Sequence, residues 1–231
     1  MLSRKLGINW RYATGEISII VVGVLIAITL DNCNDARIAR TLEREYLARL
    51  AEDLKADTAT SVFIGRVLDR KERGLASVDS VVNRGAVLRD TLTFLQTLVS
   101  SANFAWNVPR VRTTTFQELQ STGNLRLLRD PDLRAHVVDY YGSAEGDYLR
   151  MQGRRTRYGP LSYELVPRKG EFVIDSTRAR LEARPLVEAI MRSDLHAATI
   201  AERNFATFVG ELNAGRKRRS RELLDRIEPR K

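Results

Sequence analysis

The sequence predicts an all-α protein in which one N-terminal transmembrane helix is followed by an antiparallel helical bundle. Residues 17–30 contain no charged side chain, which favours a membrane segment. Through most of the remaining chain, apolar residues recur three or four positions apart, as they do in amphipathic helices. The 231 residues include only 6 Pro and 14 Gly, few for a disordered or β-sandwich chain, and no segment alternates long enough to predict a sheet.

The composition also limits which metal-binding and catalytic sites the chain can form. The chain has 1 Cys and 2 His, so it cannot form an internal disulfide or a zinc site made of Cys and His alone. It lacks a glycine-rich phosphate loop, a Gly-x-Ser-x-Gly elbow and a His-Glu-x-x-His motif. His136 is expected near the core side of its helix, and His196 is expected to be structural. Asp53 and Asp57 are interpreted as helix-surface carboxylates, so we expect no catalytic residue, cofactor or metal.

The transmembrane helix is predicted over residues 12–30, after a short cytoplasmic tail of residues 1–11. These residues would form about 28 Å of helix, close to the ~30 Å hydrocarbon core of a bilayer. Trp10 and Tyr12 are placed as interfacial aromatics. Three basic residues flank each side, and the amino group with two Asp after the helix favours the N-terminus inside. We expect a bacterial inner-membrane protein with a cytoplasmic N-terminus and a periplasmic main domain.

Three residues of this helix are candidates for packing against a partner helix. Gly23 and Ala27 are four positions apart, so they would let a neighbouring helix approach closely. Glu16 lies near the start of the predicted span, where a carboxylate is costly unless it reaches an interface or a partner. It is interpreted either as a headgroup-level side chain or as a contact with a partner helix.

Residues 31–231 are predicted to form the extracytoplasmic helical domain. A stalk helix over about 36–70 carries Leu residues at a/d spacing, interrupted by Asp57 and Ser61. Residues 158–170 contain two Pro and two Gly, so they are predicted to be a loop. Further helices are predicted over residues 88–101, 113–122, from 130 onward, 186–191 and 195 to about 227, the last with Ile200, Phe205, Phe208, Val209 and Leu212 facing a core.

A helix–turn–helix motif is the most distinctive pattern in the soluble part. Gly123 and Asn124 suit a left-handed cap after the preceding helix. Asp130 is the predicted N-cap of the next helix, with Pro131 at its first position. Glu118 and Asn124 either belong to this capped helix end or line a small polar pocket with a nearby arginine.

The formal net charge is +9, and two basic clusters stand out. They are candidates for binding anionic lipid headgroups or an acidic partner, or they form solvated helix faces. A membrane anchor argues against nucleic acid as a partner. The clusters are Arg154, Arg155 and Arg157, and Arg216, Lys217, Arg218 and Arg219.

Two stretches together resemble an uncharacterised family of bacterial single-pass inner-membrane proteins. Tyr12-Ala13-Thr14-Gly15-Glu16 is similar to the family's Tyr-Ala-x-Gly-Glu transmembrane start. Residues 118–125 resemble its Glu-Leu-x-x-(Ser/Thr)-Gly-Asn-Leu motif. Cys33 stands between two Asn where the family usually has Trp. The resemblance implies an exported soluble domain and no established enzymatic activity.

Together these features favour a non-catalytic accessory or scaffold subunit of a larger bacterial membrane complex. Its partners would be integral-membrane subunits, and respiratory and photosynthetic complexes are candidate hosts. The membrane segment has no His to serve as an axial ligand of haem or of a chlorophyll-type pigment. The alternative is a membrane-tethered extracytoplasmic ligand-binding or sensor module.

Overall fold

The computed structural model describes residues 10–102, 110–152, 154–170 and 173–230, with side chains from residue 20 onward. Within these ranges the regular secondary structure is helical, apart from one isolated β-bridge between Arg168 and Ile174, which confirms the all-α prediction. Short 3₁₀ helices cover Asn124–Leu127 and Glu228–Arg230. The α-helices are α1 (Trp10–Val82), α2 (Thr91–Ala102), α3 (Thr114–Ser121), α4 (Pro131–Gln152), α5 (Tyr158–Leu165), α6 (Ser176–Leu181), α7 (Ala183–Arg192) and α8 (Leu195–Ile227).

Helix α1 is one uninterrupted helix of 73 residues, about 110 Å long. The predicted stalk over residues 36–70 is the middle of this helix. Gly74 lies within the helix without breaking it. The helix instead ends just before Gly85, whose φ of +68° is a left-handed conformation that glycine adopts readily.

The predicted transmembrane helix over residues 12–30 is not found as such. Within the described part of the chain, no helix is long and apolar enough to cross a membrane. The apolar run whose side chains are described covers residues 20–30, about 16 Å of helix against a ~30 Å hydrocarbon core.

The bundle is organised around α1 and α8, which pack side by side in opposite directions. At one level the Thr58 and Ser220 hydroxyls lie 2.9 Å apart. Near the other end, Asn83 Nδ2 donates to the carbonyl oxygen of His196 at 3.3 Å. Helices α3 and α4 cover one end of this pair, and α2 and α5–α7 cover the other.

Two large apolar clusters fill the bundle, and a smaller one joins them. The proximal cluster lies near the end from which the N-terminal part of α1 projects, and the distal cluster lies at the far end. The proximal cluster includes Leu47, Leu50, Leu54, Phe116, Leu133, Tyr141 and Leu223, the distal one Leu75, Val78, Leu95, Leu98, Tyr158 and Ile190, and the joining one Ile64, Leu68, Phe205 and Val209.

Some local predictions were wrong. Residues 158–165 form α5 rather than a loop, because Pro160 falls in the first turn, where its missing N–H is not needed. Burial of Tyr158, whose hydroxyl donates to the Leu98 carbonyl at 3.1 Å, holds the helix in place. Ile200 was predicted to face the core, but it is half exposed.

Gly74 is the point of closest approach between α1 and α2. A Cβ atom at this position would clash with the Ser101 hydroxyl, which is buried on α2. Gly142 on α4 is the opposite case, because it is exposed and has no atom within 4 Å of the position its Cβ would take.

We therefore expect Gly74→Leu to lower the free energy of unfolding by about 1–3 kcal/mol, since the added atoms force α1 and α2 apart. Gly142→Leu should leave it unchanged or raise it by up to about 1 kcal/mol, because glycine disfavours a helix interior. Urea unfolding of both variants measures the difference. Equal stability of the two variants would contradict the close approach.

Candidate functional site

The N-terminal part of α1 projects from the bundle as a single helix. Every described side chain from residue 20 to residue 38 is exposed, and the first buried residue is Tyr46. Residues 20–30, hereafter the apolar segment, include Ile20 at 61% exposure and Leu30 at 66%. A contiguous exposed apolar surface of this kind usually marks a contact with a membrane or another protein.

The three predicted helix-packing residues fall in or before this segment. A Cβ atom added to Gly23 would meet nothing within 4 Å, and Ala27 is exposed. Both positions are therefore open to a partner. The side chain of Glu16 lies outside the described residues, so its packing role stays a prediction.

Glu118 connects the helix–turn–helix motif to α1. Its Oε1 accepts hydrogen bonds from the Tyr46 hydroxyl at 3.0 Å and from Arg49 Nη1 at 3.1 Å. Arg49 Nη2 also pairs with Oε2, and the hydrogen bonds from Arg49 lower the pKa of Glu118 below its ordinary value. Asn124 Nδ2 donates to the Tyr46 hydroxyl at 3.1 Å. The motif residues therefore dock α3 and the following turn on α1 rather than line an open pocket.

The turn and the next helix have the expected local geometry. Gly123 has a φ of +70°, the left-handed conformation that ends α3. Asp130 Oδ1 accepts hydrogen bonds from the backbone N–H groups of Asp132 and Leu133 at 2.8 and 3.1 Å, so it caps α4. Pro131 is the first residue of that helix.

The first predicted basic cluster lies around the connection from α4 to α5. The guanidinium of Arg154 stacks over the Phe208 ring, with 4.3 Å between Cζ and the ring centroid. Arg157 forms an exposed ion pair of 3.4 Å with Asp194. Arg155 is exposed but also interacts with the rest of the protein. These contacts tie the cluster to α8.

The second predicted basic cluster is divided between interior and surface. Arg216 is 3% exposed, so its assignment to a surface was wrong. Arg219 pairs with the buried Asp147 at 2.6 Å. Arg218 faces solvent with a 4.0 Å contact to Glu222, and Lys217 is partly exposed. The four residues do not form one basic face.

A buried polar cluster lies between α1, α4 and α8, formed by Asp57, Tyr140 and Arg216. Asp57 is 4% exposed, so its interpretation as a surface carboxylate was also wrong. It accepts hydrogen bonds from the Arg112 backbone N–H at 3.0 Å and from the Tyr140 hydroxyl at 2.8 Å. Burial raises the pKa of Asp57 and lowers the pKa of Arg216. The sequence signal was the pair of polar residues that interrupts the apolar seam of α1.

A second polar layer crosses the α1–α8 interface towards the distal end. Lys71 and Glu202 form an ion pair, and both side chains are almost fully buried. The next residue of α8, Arg203, contacts Glu72 Oε1 through Nη2 and Asp79 Oδ2 through Nη1, each at 3.0 Å. Opposite charges therefore face each other across this layer.

The described residues offer little binding or catalytic chemistry. Two cavities of about 360 and 400 Å³ lie beside α2; both are open to solvent and neither is lined by the buried polar cluster. His136, expected on the core side, is exposed, as is His196. In the part of the chain with described side chains, no three His, Cys, Asp or Glu residues are grouped so that they could hold a metal ion.

Comparison of the chain with protein-family models, with curated proteins and with solved structures gives no match. The resemblance suggested by the two sequence motifs therefore stays a prediction.

The neighbouring residues Tyr140 and Tyr141 test the buried polar cluster. Tyr140→Phe should lower the free energy of unfolding by about 1–3 kcal/mol, because it removes a hydrogen bond to the buried Asp57 carboxylate. The Tyr141 hydroxyl is buried without a hydrogen-bond partner among the described groups, so Tyr141→Phe should be neutral or stabilising. Urea unfolding compares the two, and equal losses would contradict the described hydrogen bonding.

The Glu118–Arg49 pair predicts a pH-dependent stability. Since the folded-state pKa of Glu118 lies below the ordinary value of 4.5, the carboxylate stabilises the fold above that pH. This contribution is lost as the pH falls through the folded-state pKa. Glu118→Gln should therefore be less stable than the wild type at pH 7, with the gap closing in acid. Glu211→Gln, on an exposed part of α8, is the control, and a gap of constant size would refute the linkage.

Proposed function

We propose that this protein is a non-catalytic accessory subunit that anchors to, and stabilises, a larger bacterial inner-membrane complex. The apolar segment of α1 makes the contact with integral-membrane subunits. The helical bundle stands on the periplasmic side as a rigid extramembrane body. The observation that carries the proposal is the exposure of the apolar segment on all its faces.

The apolar segment would be costly to leave in water. Full burial of each large aliphatic side chain contributes about 1.5–3 kcal/mol, and the segment exposes eight of them: Ile20, Val21, Val22, Val24, Leu25, Ile26, Ile28 and Leu30. The bundle does not cover them, because its first buried residue is Tyr46. These side chains must therefore be covered by groups outside the described part of the chain. Membrane helices and the surrounding lipid would cover every face of the segment.

Gly23 and Ala27 support a protein partner as well as lipid. They are the two smallest residues of the apolar segment and lie one turn apart on the same side of α1. Small residues at this spacing let two helix backbones approach closely, and close packing drives helix association in membranes.

The interior of the bundle supports a structural role over a catalytic one. In its interior, Lys71 and Glu202 form an ion pair, and Asp57 accepts hydrogen bonds from Tyr140 and the Arg112 backbone. The described cavities are open to solvent, whereas small-molecule sites are usually enclosed and largely apolar. This geometry favours the scaffold over the ligand-binding or sensor module.

Native gel migration of the endogenous protein in mild detergent, with mass spectrometry of the comigrating proteins, tests the proposal. We expect a stoichiometric large complex. Gly23→Leu should release the protein from it, because the larger side chain blocks close helix approach. The control Gly142→Leu adds the same bulk to an exposed site on α4 and should comigrate as the wild type does.

Two results would count against this function. Migration of the wild type as a lone species or a small homo-oligomer would remove the scaffold role. Full retention of Gly23→Leu in the complex would show that this face of α1 does not make the contact.

A further inference from the structure

We propose that Arg37, Arg40 and Arg44, hereafter the arginine stripe, bind anionic phospholipid headgroups at the membrane surface next to the apolar segment. This inference rests on the anchoring role proposed above and names a second contact of the same helix. It concerns different residues from the basic clusters that stand out in the sequence.

The stripe is a single charged face of α1. Its residues are spaced by three and four positions, so they lie on one side of the helix. All three are exposed, and none of their guanidinium groups forms an ion pair within the described part of the chain. By contrast, the nearby Arg129 pairs with Glu43 at 2.8 Å. The stripe therefore keeps its positive charge for an external anion.

Distance along the helix places the first arginine of the stripe just outside the headgroup region of a membrane. Counted from Leu30, the last residue of the apolar segment, Arg37 lies about 10 Å, Arg40 about 15 Å and Arg44 about 21 Å along the axis. Headgroup regions add roughly 5–8 Å to each side of the hydrocarbon core, and the Debye length is about 8 Å at physiological salt. Long arginine side chains also extend back towards the interface. Arg37 should thus contribute most and Arg44 least.

The two acidic residues between the apolar segment and the stripe lie on the other side of the helix. Asp31 and Asp35 are roughly 150° or more from the centre of the stripe at 3.6 residues per turn. A tilt of α1 towards the arginine face therefore brings the positive charges to the lipid and carries the carboxylates away from it. Arg126, exposed on the 3₁₀ turn that packs against α1 beside Tyr46, adds positive charge at the same end of the bundle.

The clusters at 154–157 and 216–219 are less suited to this contact. Arg216 is buried, and Arg219 and Arg157 are paired with Asp147 and Asp194. Both clusters belong to the bundle, whereas the arginine stripe lies on the projecting helix between the bundle and the apolar segment. Exposed arginines next to an apolar anchor lie where their guanidinium groups reach lipid phosphates.

The single cysteine allows a direct test on the full-length chain. Cys33 is exposed, lies one turn before Arg37 on the same face, and is the only Cys in the sequence. A donor fluorophore on Cys33 reports energy transfer to acceptor-labelled lipid after reconstitution into phosphatidylcholine bilayers with a minority of phosphatidylglycerol. The measured quantity is transfer to labelled phosphatidylglycerol relative to labelled phosphatidylcholine.

We expect local enrichment of the anionic lipid of about threefold or more around the wild-type helix, weakening at high salt. The triple variant Arg37→Gln, Arg40→Gln, Arg44→Gln should reduce this enrichment to about one. Among single variants, Arg37→Gln should have the largest effect. The matched control replaces Arg66, Arg70 and Arg73, which are exposed on the same helix but begin about 54 Å from Leu30, and should keep the wild-type enrichment.

The possible failures are distinguishable. Equal transfer to both lipids in the wild type would overturn the lipid contact while leaving the anchor intact. If the triple variant then also left the large complex, the stripe would bind an acidic protein surface instead, and the lipid proposal would be wrong. Absence of transfer to either lipid would mean that this helix does not reach a bilayer, which would remove both the anchor and the stripe's proposed ligand.

Discussion

The antiparallel pairing of α1 with α8 is the interaction on which the other helices depend. The α3–α4 unit docks on one end of this pair, and α2 with α5–α7 docks on the other. Neither group has a core of its own, because each apolar cluster includes side chains of α1 and α8. Loss of register between the two long helices would therefore open both clusters at once.

Polar residues inside this interface specify the register. Asn213 Nδ2 donates to the Ser61 carbonyl at 2.9 Å, and the Ser220 hydroxyl donates to the Leu54 carbonyl at 2.9 Å. Apolar side chains still pack when one helix slides along the other, but a buried charge separated from its partner costs several kcal/mol. The Lys71–Glu202 pair adds this penalty at a second level, so the polar layers restrict the helices to one alignment.

Periodicity and capping residues were sufficient to predict most helices, including α8 and the start of α4 at Pro131. They failed where tertiary contacts decide the local structure, as in α5, which is held by burial of Tyr158.

Arg216 was assigned to the surface because a guanidinium within a basic run normally lies in solvent. It interacts electrostatically with Tyr140, Asp147 and Asp57, which lie on other helices, so the periodicity of α8 alone could not reveal its burial. The apolar segment was recognised from the sequence, but only the fold shows that the bundle leaves it exposed.

The continuity of α1 has a mechanical consequence. The apolar segment, the arginine stripe and the distal end of the bundle all lie on one helix without a break between Trp10 and Val82. From Leu30 to Val82 the helix acts as a lever arm of about 78 Å. Rotation about the Leu30 end by about 10° would move the Val82 end through about 14 Å at this rise per residue. A small change in the tilt of α1 within an assembly would thus produce a large displacement of the distal end of the bundle.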